Sequence, residues 1–204
     1  MGKWAVKLKI DPLQYKQICE DILAYRSEWS GTAIYYEQNR NYIADISSLR
    51  EYLYSLEIRQ YIKHHAHTVI NPGEELPIHV DNYDKYKWSL TFPFRNPLTT
   101  VNRFYYYEGK LPFGEVQRDF GPYAINWGWT HPDPNNAEYL GEVLVDGPML
   151  LNTRQPHSVT NMGDKQREAL AIRLSNTFDP FNPQHIKQEC IREVCEGPDR
   201  ATAV

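Results

Sequence analysis

Residues 76–96, LPIHVDNYDKYKWSLTFPFRN, combine a motif that can bind a metal ion with strand-like segments on both sides of it. One residue separates His79 from Asp81, and side chains at positions i and i+2 of an extended chain point to the same side. The segments LPI and KYKWSLTFPF favour strands, because they are rich in apolar and aromatic residues and turn-forming residues flank them. This stretch therefore predicts a sheet that presents an imidazole and a carboxylate together.

A second stretch, residues 147–175 (GPMLLNTRQPHSVTNMGDKQREALAIRLS), places a histidine between two further strand-like segments. In its last nine residues, Arg167 and Arg173 share one face with two alanines, whereas leucine and isoleucine share the other. A strand that lines a pocket suits this pattern, because alanines leave space and an arginine can bind a carboxylate through two hydrogen bonds. An edge strand with exposed arginines would have the same pattern, so both interpretations stay open.

Two histidines and one carboxylate, here His79, Asp81 and His157, are the ligand set of a facial triad for non-haem Fe(II). A second H-x-D sequence, His131-Pro132-Asp133, lies in a proline-rich loop only 24 residues before His157, with no strand leading into it. The context therefore favours the first motif. Three histidines within residues 64–67 lack a carboxylate at matching spacing, which favours structural or solvated roles for them.

The first third of the chain predicts a strand followed by helices. Residues 4–10 alternate, with the even-numbered apolar residues on one face. Asp11-Pro12 supplies an N-cap and a proline at the first helical position, and Ser48 and Glu51 have the spacing of a capping box. Further along, Asn71-Pro72-Gly73 predicts a type II turn between strands.

Aromatic and turn-forming residues predict a mainly β protein, since the chain has 15 Tyr, 5 Trp, 14 Pro and 11 Gly. We expect a single domain spanning residues 1–204. Residues 1–61 form a strand and helices that cover one face of the sheet, and residues 62–178 form the β core. Residues 179–204 form a tail with a short amphipathic helix over residues 183–195.

Composition and charge argue against several classes of protein. The net charge of −4 arises from 26 acidic and 22 basic residues, and without a basic excess we expect no nucleic-acid partner. No apolar run reaches the roughly 18 residues of a membrane span, so no membrane partner is expected either. Three cysteines without C-x-x-C spacing argue against a disulfide framework or a cysteine zinc site, so we expect a cytoplasmic protein. The oligomeric state stays open.

The two metal-binding stretches resemble the halves of a 2-oxoglutarate- and Fe(II)-dependent oxygenase, most closely the aspartyl/asparaginyl β-hydroxylase-like branch. The resemblance covers roughly residues 62–178. It rests on a series: H-x-D, 75 residues, a histidine in N-T-x-x-P-H-S-V-x-N, and an arginine ten residues further on. It implies a cupin-like jelly-roll, the double-stranded β-helix, with helices packed on the larger sheet.

The resemblance also implies roles for individual residues. His79, Asp81 and His157 would bind Fe(II), and Arg167 would bind the distal carboxylate of 2-oxoglutarate. Arg173 is the alternative or a second carboxylate contact, because other branches place this arginine further along the chain. Strand alternation, and not the resemblance, would place Tyr105 on one face with Arg103, where its hydroxyl could hold 2-oxoglutarate, although a purely strand-forming role is the alternative.

The implied reaction is oxidative decarboxylation of 2-oxoglutarate by O2 to succinate and CO2, coupled to oxidation of an amino-acid, peptide or small-molecule substrate. The intact Asp81 indicates hydroxylation, because family members that halogenate typically lack this carboxylate. Two other functions stay open: a non-catalytic jelly-roll binding module, and a cupin-type metal enzyme without 2-oxoglutarate. Residues 109–122 are a candidate lid, and Trp127 and Trp129 either wall a substrate pocket or pack in the core.

Overall fold

A computed structural model describes residues 2–26, 33–35, 41–81, 86–107 and 134–197. The predicted lid, the two tryptophans of the W-G-W sequence and the second H-x-D motif lie outside these residues. The described strands are β1 (Gly2–Leu8), β2 (Ala33–Tyr35), β3 (Ile62–Ile70), β4 (Glu75–His79), β5 (Tyr86–Arg95), β6 (Thr100–Tyr107), β7 (Ala137–Leu144), β8 (Met149–Asn152), β9 (His157–Asn161), β10 (Arg167–Ser175) and β11 (Ile191–Gly197). The described α-helices are α1 (Pro12–Tyr25), α2 (Tyr42–Asp45) and α3 (Ser47–Ser55).

The strands form two antiparallel sheets whose order defines the fold. The larger sheet has the order β11-β1-β8-β5-β10-β3-β2, and the smaller sheet has the order β4-β9-β6-β7. From β3 to β10 the chain passes repeatedly between the sheets, so that each sheet receives four of these eight strands. Eight strands in two facing antiparallel sheets form a jelly-roll. The prediction of a mainly β fold with a double-stranded β-helix is confirmed.

Helices α1 and α3 cover the outer face of the larger sheet, as predicted. Their buried side chains pack against alternate residues of the central strands β5 and β10. Asp11 caps α1 by accepting hydrogen bonds from the backbone N–H groups of Leu13 and Gln14. Burial of each large apolar side chain contributes about 1.5–3 kcal/mol to the free energy of unfolding. The buried side chains include Ile18, Ile22, Leu49, Leu53, Leu90, Phe92, Leu170, Ile172 and Leu174.

Strand β10 lies in the middle of the larger sheet, between β5 and β3. Eight of its nine residues are buried. Arg167 and Arg173 face the space between the sheets, opposite the helix-covered face. The edge-strand interpretation is therefore wrong, and the pocket-lining interpretation of this segment is correct.

The turn between β3 and β4 carries the chain from the larger sheet to the smaller one. Gly73 has φ = +70°, and the Glu74 N–H donates to the Asn71 carbonyl oxygen at 3.1 Å. These are features of the predicted type II turn, in which glycine adopts the left-handed conformation without strain. This turn begins the strand that ends at His79.

A buried ionic cluster ties α1 to the larger sheet. The Glu168 carboxylate lies 2.9 Å from Arg26 Nε and 2.9 Å from His67 Nε2, and it accepts a hydrogen bond from Arg95 Nη1 at 2.7 Å. Burial alone would raise the pKa of Glu168, but the hydrogen bonds and positive charges of these partners hold it below its ordinary value. His67 thus has a structural role, as predicted.

The C-terminal segment corrects one prediction, because residues 183–195 do not form an amphipathic helix. They contain a 3-10 turn, Gln188–Cys190, and most of strand β11. Strand β11 pairs with β1, with Val194 opposite Val6. Without β11, this side of β1 would leave its backbone N–H and C=O groups unpaired. The backbone hydrogen bonds gained by pairing with β1 therefore outweigh the local preference for a helix.

Two local predictions in the first third are also wrong. Helix α3 begins at Ser47 after an N-cap without a side-chain bond, and the Ser48 hydroxyl donates to Asp21 instead of capping the helix. In β1, an irregularity between Lys3 and Ala5 turns Trp4 away from the helices. Trp4 instead stacks on Phe104 of the smaller sheet, with ring centroids 5.3 Å apart. No helix among the described residues is long and apolar enough to cross a membrane.

Candidate metal centre

The predicted triad lies between the two sheets, where β4 ends and β9 begins. His79 is the last residue of β4, His157 is the first residue of β9, and the two are directly opposite each other in the antiparallel pair. Their ring centroids are 4.3 Å apart. Both side chains are buried. The register of the strand pair therefore brings the two imidazoles together.

Backbone carbonyl groups orient both imidazoles. His79 Nδ1 lies 2.7 Å from the Pro77 carbonyl oxygen, and His157 Nδ1 lies 2.9 Å from the Gln155 carbonyl oxygen. Because a carbonyl oxygen only accepts hydrogen bonds, Nδ1 carries the hydrogen and Nε2 carries the lone pair in each neutral ring. Burial lowers the pKa of His157 below its ordinary value, which favours the neutral form that a metal ion requires.

Asp81 completes the group immediately beyond β4. Its backbone N–H donates to the Thr153 carbonyl oxygen at 3.0 Å, and its Oδ2 accepts a hydrogen bond from Arg173 Nη1. Its Oδ1 is buried and has no hydrogen-bond partner among the described residues. This oxygen lies 3.9 Å from His79 Nε2.

These three residues fit a metal ion. One potential ligand atom from each lies within 4.8 Å of the other two, and all three residues are buried. Two imidazoles and a carboxylate suit iron and related divalent transition metals. The orphaned Asp81 Oδ1 supports this fit, because an unpartnered buried carboxylate oxygen is costly unless a cation or donor meets it.

Arg167 lines the same cavity from the other end of β10. Its Nη1 donates to the Thr68 hydroxyl at 3.0 Å, and this hydroxyl donates to the Ala169 carbonyl oxygen. Its Nε is buried and has no hydrogen-bond partner within the described part of the chain. Burial lowers the pKa of Arg167 to about 10, so the guanidinium remains a cation at neutral pH.

Arg173 lies at the triad end of β10, where it contacts Asp81. It is six positions from Arg167, which corresponds to about 20 Å along a strand. The structure therefore places both predicted arginines in the cavity, but in different surroundings. Arg173 already has a carboxylate partner, Asp81, whereas the partner of Arg167 is the neutral Thr68 hydroxyl.

The prediction that Tyr105 lines the site is wrong. In the pairing of β6 with β9, Phe104 is opposite His157 and Arg103 is opposite Ser158. Directly paired residues share a face of the sheet. Arg103 therefore lies on the outer face, where Tyr105 also lies, with its hydroxyl 3.3 Å from Ser158 Oγ.

The same register places Asn102 in the cavity, a residue that sequence reasoning missed. Asn102 is only 1% exposed, and neither its amide nitrogen nor its amide oxygen has a hydrogen-bond partner in the described residues. If the cavity-facing positions of this strand had been counted from Asn102 instead of Arg103, the sequence would have predicted Asn102 in the cavity. A buried amide without partners is costly, which makes Asn102 a candidate contact for a polar ligand.

The cavity that these residues share is lined by both polar and apolar side chains. The side chains that line it are Thr68, Leu76, His79, Asp81, Ser89, Thr91, Asn102, Leu151, Thr153, His157, Val159, Arg167, Ala171 and Arg173.

No protein-family model matches this sequence, and no curated protein matches it. Solved structures with a similar course of the chain include HygX from Streptomyces hygroscopicus with nickel and 2-oxoglutarate bound, at 10% identity and a TM-score of 0.42, covering 85% of this chain and 82% of that one. AviO1 from Streptomyces viridochromogenes Tue57 has 12% identity and a TM-score of 0.47, over 86% and 90% of the chains. A prolyl-4-hydroxylase from Pseudomonas putida has 13% identity and a TM-score of 0.41, over 85% and 92%.

Proposed function

We propose that this protein is a 2-oxoglutarate- and Fe(II)-dependent oxygenase that hydroxylates an amino-acid, peptide or small-molecule substrate. The observation that carries the proposal is the convergence of His79, Asp81 and His157 within 4.8 Å. The cavity that contains this group also contains a buried arginine at its other end. A metal ligand set and a carboxylate-binding cation in one cavity match the needs of a 2-oxo acid that chelates a metal ion.

The proposed reaction balances without another reductant. O2, 2-oxoglutarate and a substrate C–H bond give succinate, CO2 and a substrate C–OH group, with one oxygen atom entering each of succinate and the hydroxylated product. The metal ion supplies the redox chemistry that activates O2. The residues of the chain bind and orient the reactants and exclude water.

The triad residues would hold the metal ion. His79 and His157 present Nε2 because backbone carbonyls hold their Nδ1 hydrogens, and Asp81 presents Oδ1. Three protein ligands on one side leave positions for a 2-oxo acid and O2. The retained carboxylate ligand supports hydroxylation as the outcome.

Arg167 is the proposed contact for the distal carboxylate of 2-oxoglutarate. Arg167 Nη1 donates a hydrogen bond to the Thr68 hydroxyl. The Nε of Arg167 has no hydrogen-bond partner in the described residues. Arg173 is engaged with Asp81, which supports Arg167 in this role. The amide of Asn102 is a further donor for a carboxylate or carbonyl oxygen of the ligand.

Turnover of the cosubstrate tests the proposal. The purified protein is incubated with Fe(II), 2-oxoglutarate and O2, together with panels of amino acids, peptides and small metabolites. Succinate formation that a panel member stimulates, with a gain of one oxygen atom in that member, supports the proposal.

Arg103→Ala on the outer face of the smaller sheet is a matched control that should retain turnover, whereas His157→Ala should lose it. If metal binds but 2-oxoglutarate does not, a metal enzyme without 2-oxoglutarate is favoured. If neither binds, a non-catalytic binding module is favoured.

A further inference from the structure

Arg173 and Asp81 form a buried ion pair directly beside the two histidines. Arg173 is 4% exposed and Asp81 is 1% exposed. Arg173 Nη1 donates to Oδ2 of the carboxylate, whereas Oδ1 has no hydrogen-bond partner in the described residues and lies on the side of His79. The two oxygens of one carboxylate are therefore in different surroundings.

This asymmetry has a consequence for metal binding. A carboxylate can bind a metal ion through one oxygen or through both, and rotation of the group interchanges the two oxygens. A charge-assisted hydrogen bond to Oδ2 restricts this rotation and leaves Oδ1 as the oxygen that meets the metal. The guanidinium also compensates the charge of a carboxylate that would otherwise be buried alone.

We infer that Arg173 is a positioning residue that holds Asp81 so that Oδ1 alone binds the metal. This inference rests on the proposed metal-binding function of the triad. The inferred role of Arg173 applies before 2-oxoglutarate binds, because it concerns the metal ligand Asp81. Arg167, in contrast, is the proposed contact for 2-oxoglutarate itself. Coordination through one oxygen keeps a position on the metal open for the second oxygen of a 2-oxo acid.

Metal affinity measured without 2-oxoglutarate separates this role from direct contact with the cosubstrate. Anaerobic calorimetric titrations of Mn(II) into the full-length protein are made for the wild type, Arg173→Gln and Arg173→Lys. Loss of a residue that holds a metal ligand typically weakens metal affinity by about 10–100-fold. We expect a loss of this size for Arg173→Gln and a smaller loss for Arg173→Lys, which keeps the charge but not the planar fork.

Arg167→Gln is the matched control, because Arg167 is an equally buried arginine on the same strand and in the same cavity. Its affinity for Mn(II) should stay within about twofold of the wild-type value. A double-mutant cycle adds a second readout: with Asp81→Asn in place, Arg173→Gln should cause no further loss of metal affinity. Circular dichroism and thermal melts of the metal-free variants establish which of them fold, and Arg173→Lys keeps the comparison available if Arg173→Gln does not fold.

Three results would overturn the inference. Unchanged Mn(II) affinity in both Arg173 variants, with weaker 2-oxoglutarate binding, would make Arg173 a cosubstrate contact. Increased Mn(II) affinity would show that the guanidinium competes with the metal for Asp81. An additional loss in the Asp81→Asn background would show that Arg173 acts on the metal site through another group. Failure of the wild type to bind Mn(II) would instead remove the proposed function itself.

Discussion

The imidazoles of His79 and His157 face each other across two paired antiparallel strands, with their ring centroids 4.3 Å apart. This pairing makes the site depend on strand register, because a shift of one residue would turn His157 to the opposite face of the sheet. The larger sheet contributes the two arginines from β10, and Asp81 follows the strand that carries His79. The candidate site is therefore a product of the two-sheet fold.

Metal binding should require both histidines. His79→Ala and His157→Ala each remove one of three ligands, so we expect Fe(II) or Mn(II) affinity to fall by more than about 100-fold, beyond the loss typical of a residue that only orients a ligand. Anaerobic calorimetry measures this change. His185→Ala replaces a histidine outside the cavity and serves as the control. Wild-type metal affinity in either cavity variant would rule out the triad.

Arg167→Ala should weaken 2-oxoglutarate binding far more than metal binding. Hydrogen bonds to charged groups contribute about 1.5–3 kcal/mol, and since about 1.4 kcal/mol corresponds to tenfold in affinity, we expect a loss of roughly 10–150-fold. Titration of 2-oxoglutarate into the metal-loaded protein measures it. The assignment of Arg167 is wrong if 2-oxoglutarate affinity is unchanged in this variant.

Asn102 and Tyr105 test which face of β6 meets the ligand. Asn102→Leu should weaken 2-oxoglutarate binding, while the ligand-free variant should be at least as stable as the wild type, because it loses a buried amide that costs about 1–3 kcal/mol when unpartnered. Tyr105→Phe should leave 2-oxoglutarate affinity unchanged. Ligand titrations and thermal melts of both variants make the comparison. If Tyr105→Phe weakened 2-oxoglutarate binding and Asn102→Leu did not, the original prediction that Tyr105 contacts 2-oxoglutarate would be supported.

Glu168 should make the protein sensitive to acid. The pKa of this carboxyl is held below its ordinary value of 4.5, so its stabilising contribution is present above that pH and is lost as the pH falls through the lower folded-state pKa. Glu168→Gln should be destabilised by about 3 kcal/mol at neutral pH, because it leaves the buried Arg26 guanidinium without its anion. Denaturant unfolding at pH 7 and in steps below pH 4.5 tests this. The stability gap between the two proteins should narrow on acidification, and a constant gap would contradict the assignment.

The parts of the fold that depend on local patterns were predictable from the sequence. The alternation in REALAIRLS separates the helix-covered face of β10 from its cavity face, and the i, i+2 spacing of His79 and Asp81 needs only an extended backbone. The role of His157 depended on its spacing from the first motif and on the strand that follows it. The alternation and the i, i+2 spacing are short-range features, so tertiary structure had little opportunity to change them.

The failures have a different physical origin. In NRFYYYEG, four consecutive aromatic residues hide the phase of the alternation, so the buried Asn102 and the outward Tyr105 could not be distinguished. Strand β11 exists because it pairs with β1 at the other end of the chain, and no local pattern reports such a partner. The bond between Arg173 and Asp81 likewise joins residues 92 positions apart.

The most direct test of the account is an anaerobic titration of 2-oxoglutarate into the Fe(II)-loaded protein, followed by visible absorbance. Chelation of the iron by a 2-oxo acid produces a weak metal-to-ligand charge-transfer band, and the measurement needs no knowledge of the prime substrate. The account predicts a saturable band in the wild type that disappears in His157→Ala and needs more 2-oxoglutarate in Arg167→Ala. The absence of a band at saturating 2-oxoglutarate, with iron demonstrably bound to the protein, would contradict it.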